Sequence, residues 1–175
     1  MSFIELAKKR CSIRSFSKAM VSPNQLNSIL EAGRIAPTTA NSQSHRIIII
    51  DQSEDLAKLR EAAQIYGAPC ALLICVDRNK SWKRSFDQFD SGDIDSAVVM
   101  THMMLAATEC EVATVWVGYF KPSLIKELFQ LPSHWDPVHI LACGIANVAN
   151  KSEDRHQKER LPLSETVFEV GGWKQ

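Results

Sequence analysis

Arg10, Ser12 and Arg14 alternate in the stretch KKRCSIRSF. In an extended segment alternate side chains share a face, so these three would point the same way. Two guanidiniums and a hydroxyl on one face suit a phosphate, because Arg offers its oxygens a planar fork. A second set lies in RIAPTTANSQSHR, where Thr38, Thr39, Asn41 and Gln43 supply donors and acceptors. Thr39, Asn41 and Gln43 alternate as well, and such amides and hydroxyls read the carbonyl and N–H edge of a planar heterocycle. In KERLPL, Lys158 and Arg160 alternate on what reads as extended chain and would complete an anion site. Taken singly, each set also fits a solvated basic run or a turn rich in Ser, Thr and Asn.

Other chemistries lack their residues. The chain has no GxGxxG after a strand, no GxxxxGK[ST] and no GxSxG. His45, His102, His134, His139 and His156 show no metal-ligand spacing, so no metal site is expected. His102 falls on a helix as a core or rim residue, and Asp93 and Asp95 at that helix's start favour its dipole. Cys11, Cys70, Cys75, Cys110 and Cys143 are odd in number and lack CxxC spacing, which argues against a disulfide framework or a zinc site. Three of them sit in apolar runs as core residues. With no nucleophile and no acid/base pair, an enzyme built on this chain needs a cofactor to carry its chemistry.

The elements that must position these residues are legible from period and caps. Ser2 and Glu5 have capping-box spacing and start a helix over about 3 to 9. Ser22, Pro23 and Gln25 start a second, which presents Leu26, Ile29, Leu30 and Gly33 on one side and ends before Pro37. RIIIID reads as a strand buried on both faces, and CALLICVD as another. Ser53 opens a helix through Ala63 between them. NKSWKRSFDQFDSGD lacks periodicity and reads as the most mobile loop. Positions 94, 97, 98, 101, 104, 105 and 108 follow a helical period, giving a central, almost fully buried helix. VATVWVGYF is a strand, PSLIKELFQL a helix and VHILACGIAN a strand; a charged stretch and a short apolar piece close the chain. Helices alternating with buried strands predict a layered α and β domain, and periodicity alone leans to a parallel sheet without deciding it.

The 175 residues predict one domain spanning 1–175. Lys plus Arg equals Asp plus Glu at 20 each, so there is no general pull towards nucleic acid or an anionic membrane. No apolar run approaches the roughly 18 residues of a membrane span. The N-terminal MSFIELAKKR has no signal-peptide core, and with the cysteine count it predicts a cytoplasmic protein.

In order, these pieces resemble the FMN-dependent nitroreductase family over about residues 6 to 168. RCSIRSF resembles its R-x-S-x-R-x-[FY] segment, and EAGRIAPTTANSQSHR its A-x-x-A-P-[ST]-x-x-N-x-Q-P-W stretch. DIDSAVVMTHMMLAATECEVATVWVGYF resembles its central helix and the strand ending in W-[IV]-G. VHILACGIAN resembles A-x-G-x-[PA], and KERLPLSETV the closing K-x-R-x-P-[LV]. The resemblance implies an α+β fold, with a mostly antiparallel four-stranded sheet wrapped by helices. It further implies an intertwined homodimer in which a C-terminal tail, about 161–175, adds a strand to the partner's sheet. Two FMN would sit at the dimer interface. By resemblance, Arg10, Ser12 and Arg14 hold the phosphate and flavin edge, with Cys11 contributing backbone; Arg160 and Lys158 also serve the phosphate. Pro37, Thr38, Thr39 and Asn41 come from the other subunit, with Gln43 near them. Trp116, Val117 and Gly118 line the ring near its reactive nitrogen, and Gln64 reaches the pyrimidine edge.

The implied activity is an NAD(P)H-dependent FMN oxidoreductase. It passes hydride through flavin N5 to a small-molecule acceptor, a nitroaromatic, a quinone or a related compound, with ping-pong kinetics. A dehalogenating or flavin-degrading enzyme on the same scaffold, or a non-catalytic FMN-binding protein, remains open. The chain departs from the family pattern at Ser44 and His45, which replace Pro and Trp. It departs again at Glu111 and Ala113, where glycines are common, and in lacking a proline in GIAN and the long insertion over the flavin.

Overall fold

The computed structural model describes residues 1–173. Helix α1 (Phe3–Lys9) is followed by α2 (Pro23–Arg34), β1 (His45–Ile50), α3 (Ser53–Ala62), β2 (Cys70–Asp77) and α4 (Gly92–Glu109). Then come β3 (Ala113–Val117), α5 (Pro122–Leu128), β4 (Trp135–Gly144) and the short α6 (Arg155–Glu159). The capping boxes at Ser2/Glu5 and Ser22/Gln25 are both formed. The sheet runs β1-β2-β4-β3 with every neighbouring pair antiparallel. The lean towards a parallel sheet is therefore corrected. Unbroken apolar strands report cover on both faces, which an antiparallel sheet between two helical layers also has.

That cover is present on both sides. Ile50, Leu73, Val115, Val117 and Ala142 pack with residues of α3 and α5 on one face. Leu72, Ile74 and Leu141 pack with Ile29 of α2 and Val99, Met100 and Met103 of α4 on the other. Every residue of β2 is buried. Burial pushes the thiol of Cys70 up to about 11 and that of Cys75 up to about 12, so both are inert core groups. Gly33 lets α2 approach α4: a Cβ there would stand 2.8 Å from Met103 Cγ.

Three expectations are corrected. The IIII strand is not buried on both faces. It is an edge strand, and only Ile50 is fully buried while Ile49 is exposed. Segment 79–93, expected to be the most mobile, is tied down by Arg84 N–H to Phe89 O and Ser91 N–H to Trp82 O, both backbone bonds. Arg78 anchors its ends through Asp90, Asp93 and Asp136. Ion pairs replaced the apolar signal that the sequence lacked there.

The third correction concerns α4. Its core stripe is Ser96, Val99, Met100, Met103 and Ala107. Of the seven periodic positions, Thr108 is buried and Met104 packs against this core, whereas 94, 97, 98, 101 and 105 face away, and Ile94 is 55% exposed. A helix that is apolar all round signals burial on every side. Within this subunit only one side is covered. Among the described residues, no helix is long and apolar enough to cross a membrane.

Candidate functional site

Residues 11–16 run extended beside the sheet. Ser12 pairs with Thr114 of β3, Ile13 N–H donates to Thr114 O at 2.9 Å, and Phe16 pairs with Ala146 beyond β4. Cys11 and Ile13 therefore point inward and are buried, while Ser12 and Arg14 point out. The alternation expected of this segment is present, and β3 is what enforces it.

Arg10, Cys11, Ser12 and Arg14 line one polar cavity of about 210 Å³ with Lys151, Arg155, Glu159 and Arg160. Burial, opposed by Cys11 and reinforced by Arg155 and Arg160, lowers the Arg10 pKa below its usual value. A guanidinium stays charged regardless. Crowded cations of this kind repel one another, and an anion placed among them relieves the repulsion. The donor set therefore fits a phosphate.

Arg155 and Lys151 were not anticipated. Arg155 donates to Lys8 O at 2.8 Å and Arg10 O at 2.7 Å, carbonyls at the end of α1. It thereby ties α6 to the Arg10 segment. Lys158 does not line the cavity. The expectation that it alternates with Arg160 on extended chain is corrected: Lys158 is inside α6, and the backbone becomes extended only at Arg160.

At the far end of β3, Trp116 packs towards α4 and meets His139 edge-on, with ring centroids 4.8 Å apart. Val117 points to the opposite face and is buried. Trp116 and Val117 cannot both present side chains to one ligand, so Val117 has only its backbone to offer. Gly118 is open: a Cβ there would meet nothing within 4 Å. Ala63 pairs with Phe120, which brings the exposed Gln64 close to this strand end. Arg14 lies 5.8 Å from the ring of Tyr66, on the same loop as Gln64.

Of the two readings of Thr39, Asn41 and Gln43, one shared face or a turn rich in Ser, Thr and Asn, the structure has the turn, Thr39–Asn41. Ala40, Asn41 and Gln43 all have left-handed backbone, with φ of 50°, 53° and 47°. This conformation costs an L-residue roughly 1–2 kcal/mol, less for Asn. Side-chain alternation fails here because the chain is not a strand. Thr39 turns inward, its N–H and hydroxyl both donating to Asp95 Oδ1 at 2.9 and 2.8 Å. Thr38 accepts from Gln43 N–H at 3.1 Å, and Asn41 is left exposed at the tip, after Pro37. Asp95 was read only as a helix-dipole residue; an acid in a first turn carries no sequence mark of a partner 56 positions earlier.

The two polar sets do not meet within one chain. Thr39 is held at Asp95, near the start of α4, whereas Cys11 and Ile13 share a cavity with Thr108, near its end. At 1.5 Å per residue, Asp95 and Thr108 are about 20 Å apart along the helix.

The departure at Glu111 is absorbed by the backbone. Val112 N–H donates to Ala107 O and Glu111 N–H to Thr108 O, closing α4 in a Schellman turn with Glu111 at φ 60°. Glu111 thus adopts the conformation a glycine would supply, and β3 starts in register.

A sequence model of the Nitroreductase family matches residues 7–65 and 63–145. The crystal structure of a nitroreductase family protein from Clostridium difficile 630 superposes with a TM-score of 0.94 at 46% identity, over 96% of this chain and 98% of that one. The FMN reductase [NAD(P)H] of Bacillus subtilis is 29% identical over 86% of this chain and 66% of its own length. An NADPH-dependent oxidoreductase of Staphylococcus saprophyticus is 26% identical over 93% of this chain and 70% of its own. With its four-stranded antiparallel sheet between helical layers and this match across most of its length, the chain belongs to the nitroreductase family.

Proposed function

We propose that the chain is an FMN-dependent oxidoreductase that takes electrons from NAD(P)H and delivers them to a small acceptor, a nitroaromatic, a quinone or a related compound. The observation that carries this reading is one cavity whose lining, Arg10, Ser12, Arg14, Lys151, Arg155 and Arg160 with Cys11 and Glu159, is dominated by cations. Family membership and the flavin and nicotinamide names of the relatives support it.

Bound FMN would accept and donate hydride at N5. The chain's own part is to bind and orient. Arg10, Arg14, Arg160 and Lys151 hold the phosphate, and Ser12 adds a hydroxyl beside it. The backbone of Val117 and Gly118 offers polar groups where no side chain intrudes, and Gln64 reaches the same strand end. The fixed cations also favour negative charge building on a ring held among them, without reorganising.

The second polar set, Pro37, Thr38, Thr39, Asn41 and Gln43, belongs to a site completed by a second copy. Its separation from Arg10 within one chain supports this. So does the uncovered side of α4, where Ile94, Ala97, Val98, Thr101 and His102 line an open groove of about 440 Å³. Phe3 and Ile4 of α1 are exposed as well. The tail from 161 fits the same homodimer: Leu161, Leu163, Val167, Phe168, Val170 and Trp173 are all exposed on the single subunit. Its last two positions, 174 and 175, lie outside the described residues.

The visible spectrum of the purified protein tests the reading, followed by addition of NADPH or NADH without oxygen. A flavin spectrum that bleaches supports it. A colourless protein that binds no added FMN overturns it.

A further inference from the structure

Asp95 is only 3% exposed, yet its carboxylate carries more hydrogen bonds than any helix start requires. Oδ1 accepts from the N–H and hydroxyl of Thr39, at 2.9 and 2.8 Å. Oδ2 accepts from the hydroxyls of Ser91 at 2.8 Å and Ser42 at 3.4 Å. Thr39 and Ser42 are the two shoulders of the turn whose tip is Ala40 and Asn41. Left-handed backbone at Ala40, Asn41 and Gln43 persists only where the surroundings over-determine it. One buried carboxylate grips both shoulders, while Thr38 closes the turn from outside through Gln43 N–H.

We propose that Asp95 is the positioning residue of the shared flavin site, fixing loop 38–43 in the one conformation that presents Asn41. The inference rests on the reading of this loop as flavin-binding. Asp95 touches no ligand itself. It acts through Thr39 and Ser42, and it belongs to the chain that lends the loop, not to the chain that holds the phosphate. Geometry rather than charge is what the loop needs from it. An amide at this position keeps an oxygen for Thr39 and offers its N–H to the serine hydroxyls, which can accept.

The test compares D95A, D95N and T39V in the full-length protein. Hydrogen exchange is followed at the amides of Thr39 and Gln43 in the apoprotein, and FMN affinity is titrated by fluorescence quenching. Losing the grip on both shoulders in D95A speeds exchange at both amides and weakens FMN about tenfold or more; T39V, losing one hydroxyl contact, weakens it about fivefold. D95N stays within about threefold of wild type. Wild-type exchange and affinity in a folded D95A overturn the proposal, as does D95N failing as badly as D95A. If D95A does not fold, wild-type affinity in T39V overturns it. If the wild-type chain binds no FMN, the flavin reading fails separately. Loop exchange in D95A against wild type then still decides whether Asp95 sets the loop.

Discussion

Arg155 and Arg10 lie 145 positions apart, and the guanidinium of one donates to the backbone carbonyl of the other at 2.7 Å. The same guanidinium caps Lys8 O, so it satisfies carbonyls left open where α1 ends. Through this contact the helix before Arg160 is pinned to the segment that carries Arg10, Ser12 and Arg14.

Replacing Arg155 by Ala should therefore weaken FMN binding even though its own fork is already engaged by the backbone. A hydrogen bond from a charged donor is worth about 1.5–3 kcal/mol, and losing these contacts should raise the Kd at least tenfold. Lys at 155 lacks the fork and should recover little. Titration of the apoprotein variants measures this, and unchanged affinity in R155A would detach α6 from the site.

Much of the fold could be read from local signals because those signals have local causes. The capping boxes at Ser2 and Ser22, the stop before Pro37 and the apolar run of β2 each follow from neighbours in sequence. The alternation of Arg10, Ser12 and Arg14 survived because β3 holds that segment extended. The same alternation at Thr39, Asn41 and Gln43 failed because Asp95 bends the chain from 56 positions away. Lys158 was misplaced for a similar reason, since five helical residues interrupt what read as extended chain. On α4 most of the periodic stripe faces outward, and only Met104 and Thr108 of it reach the core. A sequence does not say which of two apolar faces its own core uses.

Glu111 holds a left-handed turn at φ 60° that closes α4, with Val112 N–H on Ala107 O. Glu111→Gly should relieve roughly 1 kcal/mol of backbone strain, net of the flexibility that glycine adds to the unfolded chain. For a chain of this size that raises Tm by about 2–4 °C. Thermal unfolding of the variant is the measurement. A lower Tm would mean that the Glu111 side chain holds the turn by contacts that outweigh its strain.

Stability should fall with acid through two histidines. Burial, reinforced by Arg46 and opposed by Asp95, lowers the pKa of His45. Burial, opposed by Asp93, lowers that of His139. Among the described residues, His45 Nδ1 and His139 Nε2 are buried without a hydrogen-bond partner. A depressed folded pKa means the unfolded chain binds more protons as pH drops below the ordinary value of 6.5. The contribution is thus fully present above that pH and is lost as pH falls from 6.5 through the folded values. His139→Phe keeps an aromatic edge against Trp116 and removes one titrating group. Its urea-unfolding free energy should change less between pH 7.5 and pH 5.5 than that of the wild type. An identical pH slope would clear His139 of the effect.

Val98 lies in the uncovered groove of α4, opposite the core stripe. Val98→Glu should leave the subunit's core intact but place a charge where the second copy is expected to pack. An unpaired buried charge costs several kcal/mol, enough to dissociate a dimer at micromolar concentration. Sedimentation should show monomer, with FMN lost in parallel because the partner's loop is gone. A variant that stays dimeric would move the interface elsewhere.

The separation of Arg10 from Asn41 makes a further demand on any dimer that binds flavin. If each site takes Arg10 from one chain and Asn41 from the other, the two lesions complement in trans. Arg10→Ala homodimers and Asn41→Ala homodimers should each bind flavin poorly at both sites, Arg10→Ala by about tenfold or more for a lost charge-assisted contact. In a heterodimer of the two variant chains, one site receives both lesions and the other receives neither. Isolated heterodimers should then carry about half the wild-type flavin content, as the two-fold exchange of contacts requires. If Arg10 and Asn41 of one chain served the same flavin, every site in the heterodimer would carry one lesion and nothing would return. Flavin absorbance per protein on purified heterodimers separates the two arrangements. No recovery there would refute the shared site even in a protein that binds FMN and oxidises NADPH.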